Sequence, residues 1–156
     1  MTNRVGTPIW YELMTPDPDA AQQFYEPVMG WTFEAMPGGL NLDYRIASAK
    51  DKSVAGVMRT PDHAETMPSM WFVYIGVEDV DAAAEKVKLL GGSVDIEPTD
   101  IPGVGRFAFC TDPQGAQFYL MRGSSDEVST AFAPMMPGHG CWNELVTSNQ
   151  KAAVRA

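Results

Sequence analysis

Histidine, cysteine and basic residues are scarce in this chain of 156 residues. Only two histidines occur, His63 and His139. Both fall in connectors containing proline and glycine, where a lone histidine is ordinarily a solvated side chain, so neither is expected to hold a metal. The two cysteines, Cys110 and Cys141, have no metal or redox spacing and read as free thiols of a reducing compartment. Lysine and arginine number 11 against 20 acidic residues, for a net charge of -9 and a pI near 4.5. Such a balance excludes nucleic acid, whose phosphates need a basic face. Acidity serves solubility first and would also attract a cationic ligand. No apolar run approaches the roughly 20 residues of a membrane helix. Residues 1–6 lack the apolar centre of a signal peptide. No membrane partner and a cytoplasmic location are expected. A phosphate loop is missing, since Gly103-Val104-Gly105 is followed by neither lysine nor a helix. No Ser, His and Asp set occupies suggestive elements, and neither cysteine has a histidine nearby.

What is present is a repeated pattern. A hydrophobic content of 45% suits a soluble domain, and the length allows one proper core. Ile9 to Thr15 alternates as a strand, with Trp10, Glu12 and Met14 on one face and Ile9, Tyr11 and Leu13 on the other. Asp17 is placed to cap a helix and Pro18 suits its first turn. Ala21, Phe24 and Val28 recur at helical spacing, and Gly30 is the stop. Strands are expected at Trp31–Glu34, Leu42–Ile46 and Val54–Met58, with turns at Pro37-Gly38-Gly39 and Lys50-Asp51-Lys52. After a connector from Thr60 to Ser69, the order restarts with a strand at Trp71–Val77. Asp79 caps a second helix, whose buried stripe is Val80, Ala83, Ala84, Val87 and Leu90, ended by Gly91-Gly92. A short strand at Ser93–Ile96, a turn-rich loop at Pro98–Gly103 and strands at Gly105–Cys110 and Ala116–Arg122 complete it.

The expected fold is α+β. Two βαβββ modules, 5–60 and 69–123, would form a curved mixed sheet with a concave cleft and helices outside. The domain would occupy 1–123.

In this order, the pieces "ELMTPDPDAAQQFYEPVMGW", "VEDVDAAAEKVKLLGG" and "GRFAFCTDPQGAQFYLMRG" resemble the vicinal oxygen chelate superfamily over Val5 to Arg122. That superfamily holds glyoxalase I, extradiol dioxygenases, and the fosfomycin- and bleomycin-resistance proteins. The resemblance implies a small-molecule ligand and a homodimer about a two-fold axis. Metal enzymes of the superfamily use His and Glu at four inward strand positions, which suits a divalent ion with open sites for substrate. Carried over, those positions fall on Trp10, Gly56, Phe72 and Tyr119. A two-residue slip gives Glu12, Met58, Tyr74 and Gln117 or Met121. Neither set contains histidine, so no metal and no cofactor are expected.

The tail repeats the opening. Gly138 to Thr147 echoes Gly6 to Thr15 at constant offset, matching Trp142 with Trp10 and Glu144 with Glu12, while Ala152-Ala153 match Ala20-Ala21. Residues 141–156 are read as the truncated start of a further module, as in tandem-domain members, and 124–140 as a linker. A strand in this tail would need a sheet edge or a partner chain.

The expected ligand-binding residues are Trp10, Glu12, Met14, Met58, Phe72, Tyr74, Gln117, Tyr119 and Met121, and Gly56 faces inward beside them. Apolar walls with sparse polar groups are the make-up of small-molecule sites, and methionines let such walls adapt. A filled core would use the same side chains. Glu12 is the candidate catalytic residue. Burial beside Trp10 would raise its pKa unless a cation such as Arg45 or Arg106 were near, fitting it for acid–base work or for a cationic ligand. The function expected is metal-independent binding of a small organic molecule, as in the bleomycin-resistance branch. The alternative is a lyase, isomerase or dioxygenase of the same superfamily, using Glu12 as base or a divalent metal.

Overall fold

The computed structural model describes residues 2–36, 43–64 and 66–154. The turn expected at Pro37-Gly38-Gly39, the first residue of the strand expected from Leu42, and the His63 side chain lie outside the described residues. The chain divides into two compact bodies. One is built from residues 10–73 with 129–142, the other from 1–9, 74–128 and 143–156.

The first module runs β1 (Pro8–Thr15), α1 (Pro18–Met29), β2 (Trp31–Ala35), β3 (Tyr44–Ala49) and β4 (Lys52–Arg59). Its strands are ordered β2-β3-β4-β1. β1 pairs in parallel with β4, and the other pairs are antiparallel. Asp17 accepts a hydrogen bond from the Ala20 amide at 2.9 Å, which satisfies one of the free donors of the first helical turn. Gly30 stops the helix at φ 66°, a left-handed conformation that only glycine adopts without cost.

α1 is rotated by about one residue from the expected stripe. Phe24 and Val28 are both 59% exposed. Tyr25 faces the sheet instead and stacks on Trp31 at 5.8 Å between ring centroids. One residue turns a helix by about 100°, so a single large ring with a partner outweighs two smaller apolar groups in choosing the buried side. The core under α1 is Trp31, Ala47, Ala49, Val54 and Ala55, with Tyr11 and Phe33 packed against it.

After a 3-10 turn at Asp62–Ala64, the second module runs β5 (Met70–Gly76), α2 (Val80–Leu89), β6 (Ser93–Ile101), β7 (Gly105–Thr111) and β8 (Gln117–Gly123). Its strand order is β5-β8-β7-β6, with β5 and β8 parallel. Asp79 caps α2 through the Ala82 amide. Val80 and Ala84 pack on Ala108, Cys110 and Leu120, flanked by Ala83 and Val87. Leu90, expected in that stripe, lies beyond the last helical residue and is exposed. The loop expected at Pro98–Gly103 is strand as far as Ile101, with two register shifts against β7. β6 ends the strand order of its module, and proline is tolerated on such an edge.

The architecture is therefore the α+β pair of βαβββ modules read from the sequence. No helix of the described residues is long and apolar enough to cross a membrane.

The stretch read as a linker is partly folded onto the first module. Ala131 is fully buried, Phe132 bridges Gly140, and the Trp31 indole donates to the Gly138 carbonyl at 2.8 Å. His139, expected to be solvated, is 8% exposed and donates from Nδ1 to the Thr130 carbonyl. Residues 141–147 form no strand here. The tail does form α3 (Gln150–Ala153), capped by Asn149 on the Ala152 amide, as Asp17 caps α1. Gln114 donates to the Asn149 carbonyl at 3.0 Å.

Two measurements test this account. Arg45 joins Asp19 of α1 at 2.7 Å and Asp43 at 3.0 Å. Its hydrogen bond holds the Asp43 carboxyl below the usual carboxylate value, against the opposing effect of burial, with the charges of Arg45 and Arg59 adding. A carboxyl depressed in the folded state contributes stability above its unfolded pKa, about 3.9, and that contribution is lost as pH falls through the folded value. Arg45→Gln is expected to lower the melting temperature at neutral pH, with the gap to the parent closing below about pH 4. The Cys110 thiol is pushed up to about 11, chiefly by burial, while Cys141 is exposed. A thiol reagent is expected to label Cys141 alone in the native protein and both cysteines after denaturation.

Candidate functional site

In each module the parallel strand pair places its expected site residues on the sheet face away from the helix. In the first module Glu12 lies opposite Gly56 and Met14 opposite Met58. Glu12 is 2% exposed, Met14 is buried and Trp10 is half-buried. Across β4, Tyr44 lies opposite Met58 and Ile46 opposite Gly56. Arg45, next to Tyr44 in sequence, reaches Asp19 and Gln22 of α1. By strand alternation Tyr44 therefore projects to the Glu12 side.

Tyr44 was not anticipated from the sequence, and it shapes this face. Its hydroxyl accepts a hydrogen bond from the Trp10 indole at 3.0 Å. The ring fills the space over Gly56, where an added Cβ would stand 1.9 Å from the hydroxyl oxygen. Gly56 is thus a glycine of close approach, needed for the tyrosine above it. Only the bareness of position 56 between larger neighbours hinted at this in the sequence. Phe72, in the same body, is 2% exposed. The two cations considered for Glu12 are engaged by other acids: Arg45 by Asp19 and Asp43, and Arg106 by Asp81 and Asp100.

In the second module Tyr74 lies opposite Tyr119 and Gly76 opposite Met121. The Tyr74 and Tyr119 rings stack in parallel, with centroids 4.0 Å apart and planes 7° from parallel. Phe109 leans on Tyr119 at 4.5 Å and Phe107 at 5.9 Å. Phe107 and Phe109 stand two residues apart on β7, and that period of two is the signal in the sequence that points to them. Gln117 is half-buried at the start of β8, opposite Thr111. The structure thus gathers the expected residues in two groups: Trp10, Glu12, Met14, Gly56, Met58 and Phe72 in one body, and Tyr74, Gln117, Tyr119 and Met121 in the other.

Stacked rings, thioethers and a buried carboxylate can grip a flat organic molecule, orient a cationic group or move a proton. Metal ligation needs a different donor set. Among the described residues no three His, Cys, Asp or Glu side chains form a group that could hold a metal ion.

Paired βαβββ modules, each closing its first strand in parallel on its last, define the α+β fold class of this chain. Residues 7–120 match the model of the Glyoxalase/Bleomycin resistance protein/Dioxygenase superfamily, and the chain belongs to that family. It is 45% identical over 122 residues to the protein named "Putative glyoxylase CFP32" of Mycobacterium bovis, covering 78% of this chain and 46% of the relative. It is 35% identical over 160 residues to the anthracycline biosynthesis protein DnrV of Streptomyces peucetius, covering 95% of this chain and 58% of the relative. The chain therefore spans about half the length of these relatives. Among solved structures, methylmalonyl-CoA epimerase from Mycobacterium tuberculosis superposes with a TM-score of 0.59 at 15% identity, over 80% of this chain and 93% of that one. A mutant of 4-hydroxymandelate synthase from Streptomyces coelicolor gives 0.59 at 17% identity, over 80% and 41%. At these identities the likeness concerns the fold.

Gly56→Ala is expected to destabilise the protein by about 1–3 kcal/mol, because the new methyl must displace Tyr44 and break its bond to Trp10. In a Tyr44→Ala background the same change should cost much less, since the obstructing ring is gone. Denaturant melts of the four proteins measure the coupling.

Proposed function

We propose that this chain binds a small, partly aromatic or cationic organic molecule through contact with ring and thioether side chains, without a metal. One observation carries this reading: Tyr44, tied to Trp10, fills the space over Gly56. Trp10 and Gly56 are two of the positions on which the superfamily's metal ligands fall. An indole and a hydrogen atom offer no coordinating group, and the tyrosine takes up the room between them. Phe72 and Tyr119, at the other two positions, make the same substitution of ring for imidazole. Glu12, buried beside these groups, orients the ligand or balances its charge. Trp10, Met14 and Met58 line the same face. Tyr74, Gln117, Tyr119 and Met121 form a second set of the same kind in the other module. A relative named for anthracycline biosynthesis, anthracyclines being fused aromatic rings, supports an aromatic ligand. In this reading the protein is a cytoplasmic homodimer, and residues 141–156 are the opening of a further module.

The second reading is catalysis, with Glu12 as general base of a lyase or isomerase. It is favoured by the near-complete burial of that carboxylate, since a base shielded from water is the one an enzyme can tune, and by a relative named as a glyoxylase.

A thermal-shift screen of flat aromatic and cationic compounds separates the readings. Binding predicts selective stabilisation by a subset of compounds in protein free of divalent ions. Glu12→Gln is expected to weaken a cationic hit about tenfold or more while leaving neutral ones nearly unchanged. Turnover of a hit, lost in Glu12→Gln with binding retained, would establish the second reading. Retention of a stoichiometric divalent ion by protein purified without chelator would overturn the first.

A further inference from the structure

The side of the first module that carries α1 holds a cavity unrelated to the Glu12 face. It is an open hollow of about 240 Å³, with Trp71 at its rim 40% exposed. Its walls include Tyr11, Tyr25, Trp31, Trp71, Ala55 and His139, all within one body. An apolar cavity of about 150 Å³ already accepts benzene, so this one has room for a fused pair of rings. The walls are held in place. The Trp71 indole donates to the Tyr25 hydroxyl at 2.9 Å, and Tyr25 meets Trp71 edge to face at 5.5 Å. The Trp31 indole is committed to the Gly138 carbonyl. With both indole donors spent, the ring nitrogen left in the wall, beside the Tyr11 and Tyr25 hydroxyls, is that of His139. A carbonyl can only accept, so the bond to Thr130 fixes the proton on Nδ1. In the neutral ring Nε2 is then a bare acceptor.

We infer that this cavity is a binding site for a small planar aromatic molecule bearing one N–H or O–H donor, of which indole is the simplest probe, with the donor directed to His139 Nε2. The rings supply edge and face contacts that favour an aromatic over an aliphatic guest. An acceptor in an apolar wall favours a guest with a donor over an isostere without one, because an unmatched polar group loses its hydration on burial. The site is independent of the Glu12 face, and either can fail without the other.

The test follows the four indole N–H signals of the tryptophans by nuclear magnetic resonance as indole is added to the full chain. Trp31 and Trp71 are expected to shift and saturate, while Trp10, on the other face, and the exposed Trp142 stay fixed. 1-Methylindole, which has the rings but no donor, should bind at least about fivefold more weakly. His139→Phe, which keeps a ring but removes the acceptor, should bring indole down to the affinity of 1-methylindole. If that variant does not fold, the comparison of the two ligands still decides. The proposal is overturned if Trp31 and Trp71 do not respond, if Trp10 responds in their place, or if both ligands bind equally. It is also overturned if dilution without ligand moves Trp31, Trp71 and Trp142 together, because the guest would then be the indole of a second copy.

Discussion

Parallel pairing of the first strand of each module with its last is the constraint on which the remaining structure rests. Parallel neighbours cannot be joined by a tight turn. The chain must leave the sheet, cross it as a helix and return through an antiparallel pair before it can lie beside its own beginning. That detour is why each module has one helix, and why the helix covers only one face. The face away from the helix carries every residue singled out as a candidate, most of them buried. Glu12 beside Gly56 and Tyr74 beside Tyr119 follow from this closure, since residues more than forty positions apart become lateral neighbours.

The two modules fill their helix-free faces differently. In the first, a glycine and a tyrosine solve one packing problem together, and a buried carboxylate remains among apolar groups. In the second, Tyr74 and Tyr119 stack on each other with Phe109 and Phe107 against them. Stacked rings and a carboxylate are tools for holding organic molecules. The helix-bearing side of the first module shows that aromatic density here is not confined to the expected face.

Legibility in the sequence varied with the range of the physics involved. Caps and stops were readable because they are local: Asp17 and Ala20, or Asp79 and Ala82, are three residues apart and bond whatever surrounds them. Strand alternation placed Trp10, Glu12 and Met14 on one face. The rotation of α1 was not readable, because the choice between Phe24 and Tyr25 depends on Trp31 and Trp71 as partners. Extension of β6 through Pro98 was not readable because proline interrupts a strand unless the strand lies at an edge, and edge position is a property of the sheet. His139 was misjudged for a similar reason. Its burial depends on a segment fastened by a bond from Trp31 to Gly138, more than a hundred residues away.

The sequence by itself determined the module order, the helix N-caps and the class of fold. Those are consequences of residue type, spacing and period, which act within a few residues along the chain. Tertiary structure alone decided which ring lies over Gly56, which side of α1 is buried, and that a presumed linker closes one wall of an aromatic cavity. Those outcomes turn on shape and room between distant side chains, and volume complementarity leaves no periodic trace in a sequence.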